Sequence, residues 1–186
     1  KGKKVGFSVG GFEEALLSGM LQKYNLNMSD VDLVNINFSL SPSLIAKKVD
    51  AVIGAFRNFE LNQMDIVNHP GRAFYPEEHG VPTYEELIYI ANQKNKNNPL
   101  FDKFFSAIQK ATLTIINDPI STWKDFSSYR KGLDDELNKR AYKDTISRFA
   151  LRPQAHDLKT YTNFSKFLEK KGIIKKITKV ETFAKP

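Results

Sequence analysis

No cysteine occurs among the 186 residues, so disulfides, thiol chemistry and cysteine-ligated metal are all excluded. This leaves the compartment open, because a cysteine-free chain suits either side of a membrane. Hydrophobic runs are short, and none approaches the roughly 20 residues that a membrane-spanning helix needs. Lys1-Gly2-Lys3-Lys4 leads straight into a strand-like segment, without the apolar stretch of a secretion signal. Histidine is scarce: His69, His79 and His156 are scattered and show no H-E-x-x-H or other metal spacing. No Ser, Cys or Asp stands beside His79 in sequence as a partner for general-base work. Gly10-Gly11 lacks the G-x-G-x-x-G spacing of a dinucleotide site, and no internal repeat is visible.

The residues that are present describe a folded chain. Hydrophobic residues make up 41% and charged residues 26%, enough to build one ordinary domain or two small lobes. The formal charge is +7, with local clusters at Lys1/Lys3/Lys4, Lys47/Lys48 and Lys170/Lys171/Lys175/Lys176/Lys179. No nucleic-acid-binding motif accompanies them, so they read as a solvated basic surface and no nucleic-acid partner is expected.

Residues 1–92 alternate between strand and helix patterns. Val5-Gly6-Phe7-Ser8-Val9 is a β-favouring run ending in Gly10-Gly11, and apolar residues at three- and four-residue spacing predict a helix over 12–24. Residues 31–38 alternate as a second strand. Ser41-Pro42 reads as a helix start with Ser41 as N-cap, ending near Lys47-Lys48. The apolar run over 50–56 predicts a buried parallel strand, and residues 86–92 a further strand after a loop rich in proline and glycine. Residues 93–186 form a mainly helical segment, with helices over 100–115, 133–149 and 158–171. Asp118-Pro119 breaks the first and Gly172 closes the last, and a short strand is expected within 173–183. The pattern predicts α/β architecture with a parallel-rich sheet. Beginning inside a strand and ending in helices without a sheet to cover, the chain reads as the back portion of a larger protein.

Three segments carry groups suited to a ligand. Ser8-Val9-Gly10-Gly11-Phe12-Glu13-Glu14 joins a strand to a helix, where glycines admit a ligand to the backbone and helix N–H groups attract polar acceptors. Gly54-Ala55-Phe56-Arg57-Asn58-Phe59-Glu60 leaves the carboxyl end of a predicted strand, where open α/β sheets place ligands. The third, residues 78–86, offers the flat ring of Tyr84.

Residues 5–17, 49–62 and 77–92, in this order and spacing, resemble the second half of the thiamine-pyrimidine family. That family includes ABC-transporter substrate-binding proteins for hydroxymethylpyrimidine or formylaminopyrimidine, and the eukaryotic hydroxymethylpyrimidine phosphate synthases. The resemblance covers residues 1–95 well and the helical remainder loosely. It implies a periplasmic-binding-protein type II-like fold, with residues 1–92 as the second lobe and the helices of 93–186 returning to a first lobe. It also implies a ligand in the cleft between lobes, and hence weak or no binding by this chain alone.

The synthases carry a cysteine-rich run before the strand corresponding to residues 86–92, and need a histidine and a pyridoxal-phosphate lysine further upstream. Here Val81-Pro82-Thr83-Tyr84-Glu85 stands in that place. The resemblance therefore points to a binding protein rather than an enzyme, without a cofactor or metal, in the periplasm or outside the cell, free or lipid-anchored. Its partners would be an aminopyrimidine and a membrane permease, with a second copy of the chain as an alternative cover for exposed apolar surface. A synthase-like enzyme or a regulatory effector-binding domain of the same fold are the alternatives. Gly10, Gly11, Phe12 and Glu13 would line the cleft. Glu60 would accept from the exocyclic amine or pair with a protonated ring nitrogen, Asn58 would donate and accept on the same edge, and Phe56 or Tyr84 would stack on the ring.

Overall fold

The computed structural model describes residues 1–153 and 155–184. Three parallel strands form its sheet: β1 (Lys3–Phe7), β2 (Val31–Asn35) and β3 (Ala51–Val52), in the order β2-β1-β3. β1 pairs with β2 along its whole length, from Lys3 opposite Val31 to Phe7 opposite Asn35. Its other edge meets β3 only at Val5–Ala51 and Gly6–Val52. Helices α1 (Phe12–Gln22) and α2 (Leu40–Ile45) are the crossovers. Because β2 and β3 lie on opposite sides of β1, right-handed crossovers place these helices on opposite faces.

The core divides accordingly. Val5, Leu16, Leu17, Ile53, Val81 and Phe167 form one buried cluster, and Ile36, Leu40 and Val49 form the other. Gly6 faces the second cluster, where an added Cβ would lie 2.6 Å from Ile36 Cδ1. A side chain at that position would displace the strand from α2.

The short α3 (Glu60–Ile66) follows β3, and four longer helices occupy the second half: α4 (Leu100–Asn117), α5 (Pro119–Tyr129), α6 (Glu136–Ile146) and α7 (Leu158–Lys170). α7 seats on α1, where Phe167 lies so close to Gly19 that an added Cβ would be 2.9 Å from its Cε2. Lys171 Nζ donates to Ser18 Oγ and Gln22 Oε1, each at 2.9 Å, and pins the same contact. α6 is tied to α3 through Arg140 Nη1 donating to Asp65, at 2.7 Å. α4 and α5 meet at Asp118, whose carboxylate accepts from Ser121 N–H as the N-cap of α5. Gly172, at φ +73°, follows α7 as expected of a terminating glycine.

Several expectations are corrected. Residues 86–92 form no strand: Leu87 is 82% and Ile90 89% exposed, and no neighbouring strand offers them a ladder. Alternation marks a strand candidate, but a strand exists only when its N–H and C=O groups find partners. Residues 173–183 likewise hold only bends and a 3-10 turn at Val180–Thr182. The predicted strand over 50–56 shrinks to Ala51–Val52 on the sheet edge, because Gly54 turns the backbone to φ +91°. β1 and β2 are shorter than expected at their carboxyl ends, and α1 ends at Gln22. The N-cap of α2 is Ser39, not Ser41, which lies buried inside the first turn. The aromatic face of α4 is only partly covered within the chain, leaving Leu100 and Phe104 exposed.

Candidate functional site at the carboxyl edge of the sheet

Parallel pairing brings the carboxyl ends of all three strands to one edge. The order β2-β1-β3 makes the boundary between β1 and β3 a topological switch point, the place where open α/β sheets hold their ligands. Two of the predicted ligand segments leave the sheet here, residues 8–11 after β1 and residues 53–59 after β3.

Glu13 bridges them. It sits in the first turn of α1, is buried, and accepts the Ser8 N–H at 2.8 Å. A Cβ on Gly54 would fall 2.3 Å from Glu13 Oε1, so the carboxylate lies directly against the β3 loop. Gly11 reaches φ +81° and donates its N–H to Glu14 Oε2 at 3.0 Å, while Gly10 stands exposed beside the Phe7 ring. Bare backbone thus borders a buried carboxylate.

On the β3 side, Glu60 is the first residue of α3. Its Oε2 accepts the Phe56 N–H at 2.7 Å, and the Phe56 carbonyl accepts from the Phe59 and Glu60 N–H groups. This closed turn holds up the Phe56 ring, which is 43% exposed. Asn58 points elsewhere: its Nδ2 donates to Thr145 Oγ1 on α6 at 2.7 Å.

Phe12 and Tyr84 belong to an aromatic cluster with α7. Tyr84 stacks on Phe164 at 4.5 Å and 13°, and Phe12 meets both rings edge-on. Burial, then the hydrogen bond to Glu86, push the Tyr84 hydroxyl well above its ordinary value. Tyr84 also lines a cavity of about 460 Å³ with Tyr161, Phe164, Leu168, Ile174 and Phe183. His79 is engaged too, its Nδ1 2.7 Å from the Tyr24 hydroxyl.

The sequence reading did not single out Arg57. Its guanidinium lies 4.0 Å from the Tyr75 ring centroid and donates to both Glu77 oxygens, at 2.9 and 3.2 Å. These contacts tie the β3 loop to the segment that leads to Tyr84. No local signal could have revealed them, because the partners lie 18 and 20 residues away in the chain (57 to 75 and 57 to 77). Burial alone would raise the Glu77 pKa, but a backbone hydrogen bond and the Arg57 guanidinium outweigh it and hold the carboxyl below its ordinary 4.5. A depressed carboxylate stabilises the fold above its unfolded value, and the contribution is lost as pH falls through the folded value. Arg57→Gln is therefore expected to lower the thermal midpoint at pH 7 and to show a smaller gap at pH about 3, where carboxylates are largely protonated and only the Tyr75 contact is missing. Melting curves at both pH values check this, and an equal gap at both would contradict it.

Exposed aromatic surface, two carboxylates and open glycine backbone make this edge suited to holding a flat, amine-bearing ring. The segments 8–11, 36–39 and 53–60 contain no histidine or lysine. Residues 1–122 match the family described as NMT1/THI5 like. The chain is 45% identical over 185 residues to a Haemophilus influenzae protein named for thiamine biosynthesis, a match covering 99% of this chain and 59% of that one. It is 27% identical over 120 residues to the formylaminopyrimidine-binding protein of Halalkalibacterium halodurans, covering 63% of this chain and 36% of the relative. Over 181 residues it is 25% identical to a 4-amino-5-hydroxymethyl-2-methylpyrimidine phosphate synthase of Saccharomyces cerevisiae, covering 90% and 53%. The chain thus spans between half and three fifths of the Haemophilus and yeast relatives. With 122 of its 186 residues matched, and with a relative 45% identical over almost its entire length, the chain belongs to the NMT1/THI5-like family.

Proposed function

We propose that this chain is the pyrimidine-binding second lobe of a periplasmic-binding-protein type II fold, serving as part of the substrate-binding component of an ABC importer. The observation that carries the reading is the switch-point edge, where Glu13 and Glu60 flank glycine loops and the exposed Phe56 ring. A 4-aminopyrimidine presents a flat face to Phe56 and an exocyclic amine that donates to a carboxylate. Glu60 spends one oxygen on the Phe56 N–H and keeps the other for that amine. Asn58 and Tyr84 have partners within the chain, so Glu60, Phe56 and the glycine loops carry the greater part of the proposal.

The remaining length of the relatives supplies the opposing lobe in this reading. Closure of the two lobes by hinge motion gives the permease a shape to recognise. A periplasmic or extracellular setting goes with that role. The synthase reading is supported by the yeast relatives, but it needs the cysteine run that residues 81–85 replace and a chain without cysteine cannot supply.

Glu60→Gln tests the assignment. In the protein with both lobes present, loss of a charge-assisted hydrogen bond, about 1.5–3 kcal/mol, is expected to weaken hydroxymethylpyrimidine or formylaminopyrimidine binding about ten- to a hundredfold. The glutamine carbonyl still accepts the Phe56 N–H, so the ligand-free melting temperature stays nearly unchanged. Calorimetry and thermal melts read the two quantities separately. Unchanged affinity with a lower melting temperature would reduce Glu60 to a turn-closing residue.

A further inference from the structure

The chain leaves β2 through a turn whose second central residue is out of character. Ser39 N–H donates to the Ile36 carbonyl at 2.9 Å, closing a four-residue turn over Asn37 and Phe38. Both central residues have positive φ, 45° at Asn37 and 63° at Phe38, as in a type I′ turn. Such turns favour Asn-Gly, because a residue with a Cβ is strained in the left-handed region. Asn37 fits its place. Phe38 occupies the glycine place.

Core packing does not explain the exception, since Phe38 is 74% exposed. Two hydrogen bonds nevertheless hold the strained backbone. The Phe38 N–H donates to Ser8 Oγ at 3.1 Å, and the Asn37 N–H to Asn35 Oδ1 at 3.0 Å. Ser8 is itself fixed by Glu13, the buried carboxylate at the switch point. A bulky aromatic ring is therefore presented to solvent, in a conformation that disfavours it, by a turn anchored to the loop after β1. Strain of this kind persists where the surroundings over-determine it, and it gathers at ligand sites.

We propose that Phe38 is a ligand-contacting specificity residue whose ring forms an aromatic wall of the site and selects flat heteroaromatic ligands. The inference rests on the pyrimidine-binding reading and adds to it a residue from the third strand end. With Phe38 in the turn after β2 and Phe56 after β3, the loop leaving each outer strand contributes a ring to the edge, on either side of the glycine loop of β1.

The test uses Phe38→Gly, Phe38→Asn and Phe38→Tyr in the protein with the opposing lobe present. Hydroxymethylpyrimidine affinity is read by NMR titration to millimolar concentration, and ligand-free stability by thermal melts. Glycine and asparagine both tolerate the left-handed turn, so neither variant is expected to melt below the parent. Both are expected to bind about tenfold more weakly, the size of a lost aromatic stacking contact. Phe38→Tyr keeps the ring and is expected to keep the affinity. Parental affinity in the glycine and asparagine variants overturns the proposal while leaving the pyrimidine-binding reading intact. A parent protein with both lobes present that gives no response to the ligand overturns that reading, and this inference with it.

Discussion

Gly54→Ala is expected to destabilise the fold by about 3 kcal/mol, through backbone strain together with overpacking. Gly54 sits at φ +91°, where an L side chain is disfavoured, and its new methyl would lie 2.3 Å from Glu13 Oε1 and 2.6 Å from Glu13 Cδ. Glu13 is buried and holds the Ser8 N–H, so it has little room to withdraw without releasing the loop after β1. For a chain of this size the loss corresponds to a fall in melting temperature of roughly 6–12 °C. The two contributions can be separated. In the Glu13→Ala background the steric part disappears and only the φ strain remains, so a double-mutant cycle is expected to show coupling between positions 13 and 54. Additive effects would mean that the carboxylate does not occupy the space beside Gly54 in solution.

Phe167→Ala is expected to cost about 3–4 kcal/mol, as for other large-to-small changes at buried aromatic positions. Phe167 is a member of the main core cluster, stacks on Phe164 with 5.8 Å between ring centroids, and fills the hollow that Gly19 leaves on α1. The Lys171 ammonium lies 5.6 Å from the same ring. Truncation would leave a cavity between α1 and α7, and α7 amides would exchange faster than those of α1. Urea unfolding with an unchanged slope and a lower midpoint is the expected readout. A cost below about 1 kcal/mol, the range of ordinary surface changes, would mean that α7 is not docked on α1.

What could be read from the residues follows from how local each signal is. α1 shows itself because Leu16, Leu17, Met20 and Leu21 repeat at helical spacing, and α4 for the same reason. The β1–α1–β2–α2–β3 order was legible too, since strand-like and helix-like segments alternate. α5 was missed because Pro119 was read only as a stop. Asp118-Pro119 is equally an N-cap followed by proline at the first helical position, and that signal was present. α3 is only seven residues long, and its first residue, Glu60, had been placed in a ligand loop. Residues 86–92 have the alternation of a strand, but pairing is a property of the neighbours and not of the segment.

At the site, glycine turns and strand ends were predictable, and they located the switch-point edge. Side-chain partners were not. Asn58 finds Thr145 87 residues away, and Tyr84 finds Phe164 on α7. The exposed Phe38 carries no motif of its own, and only the backbone conformation draws attention to it.

The most direct test of the central claim is to map where an aminopyrimidine contacts the protein. Titrating hydroxymethylpyrimidine into the 15N-labelled protein with the opposing lobe present should shift the amides of residues 8–11, 37–39 and 54–60, the three loops at the carboxyl edge. Shifts confined to Tyr84, Tyr161 and the other residues lining the cavity beside α7, or no shifts at millimolar ligand, would contradict it.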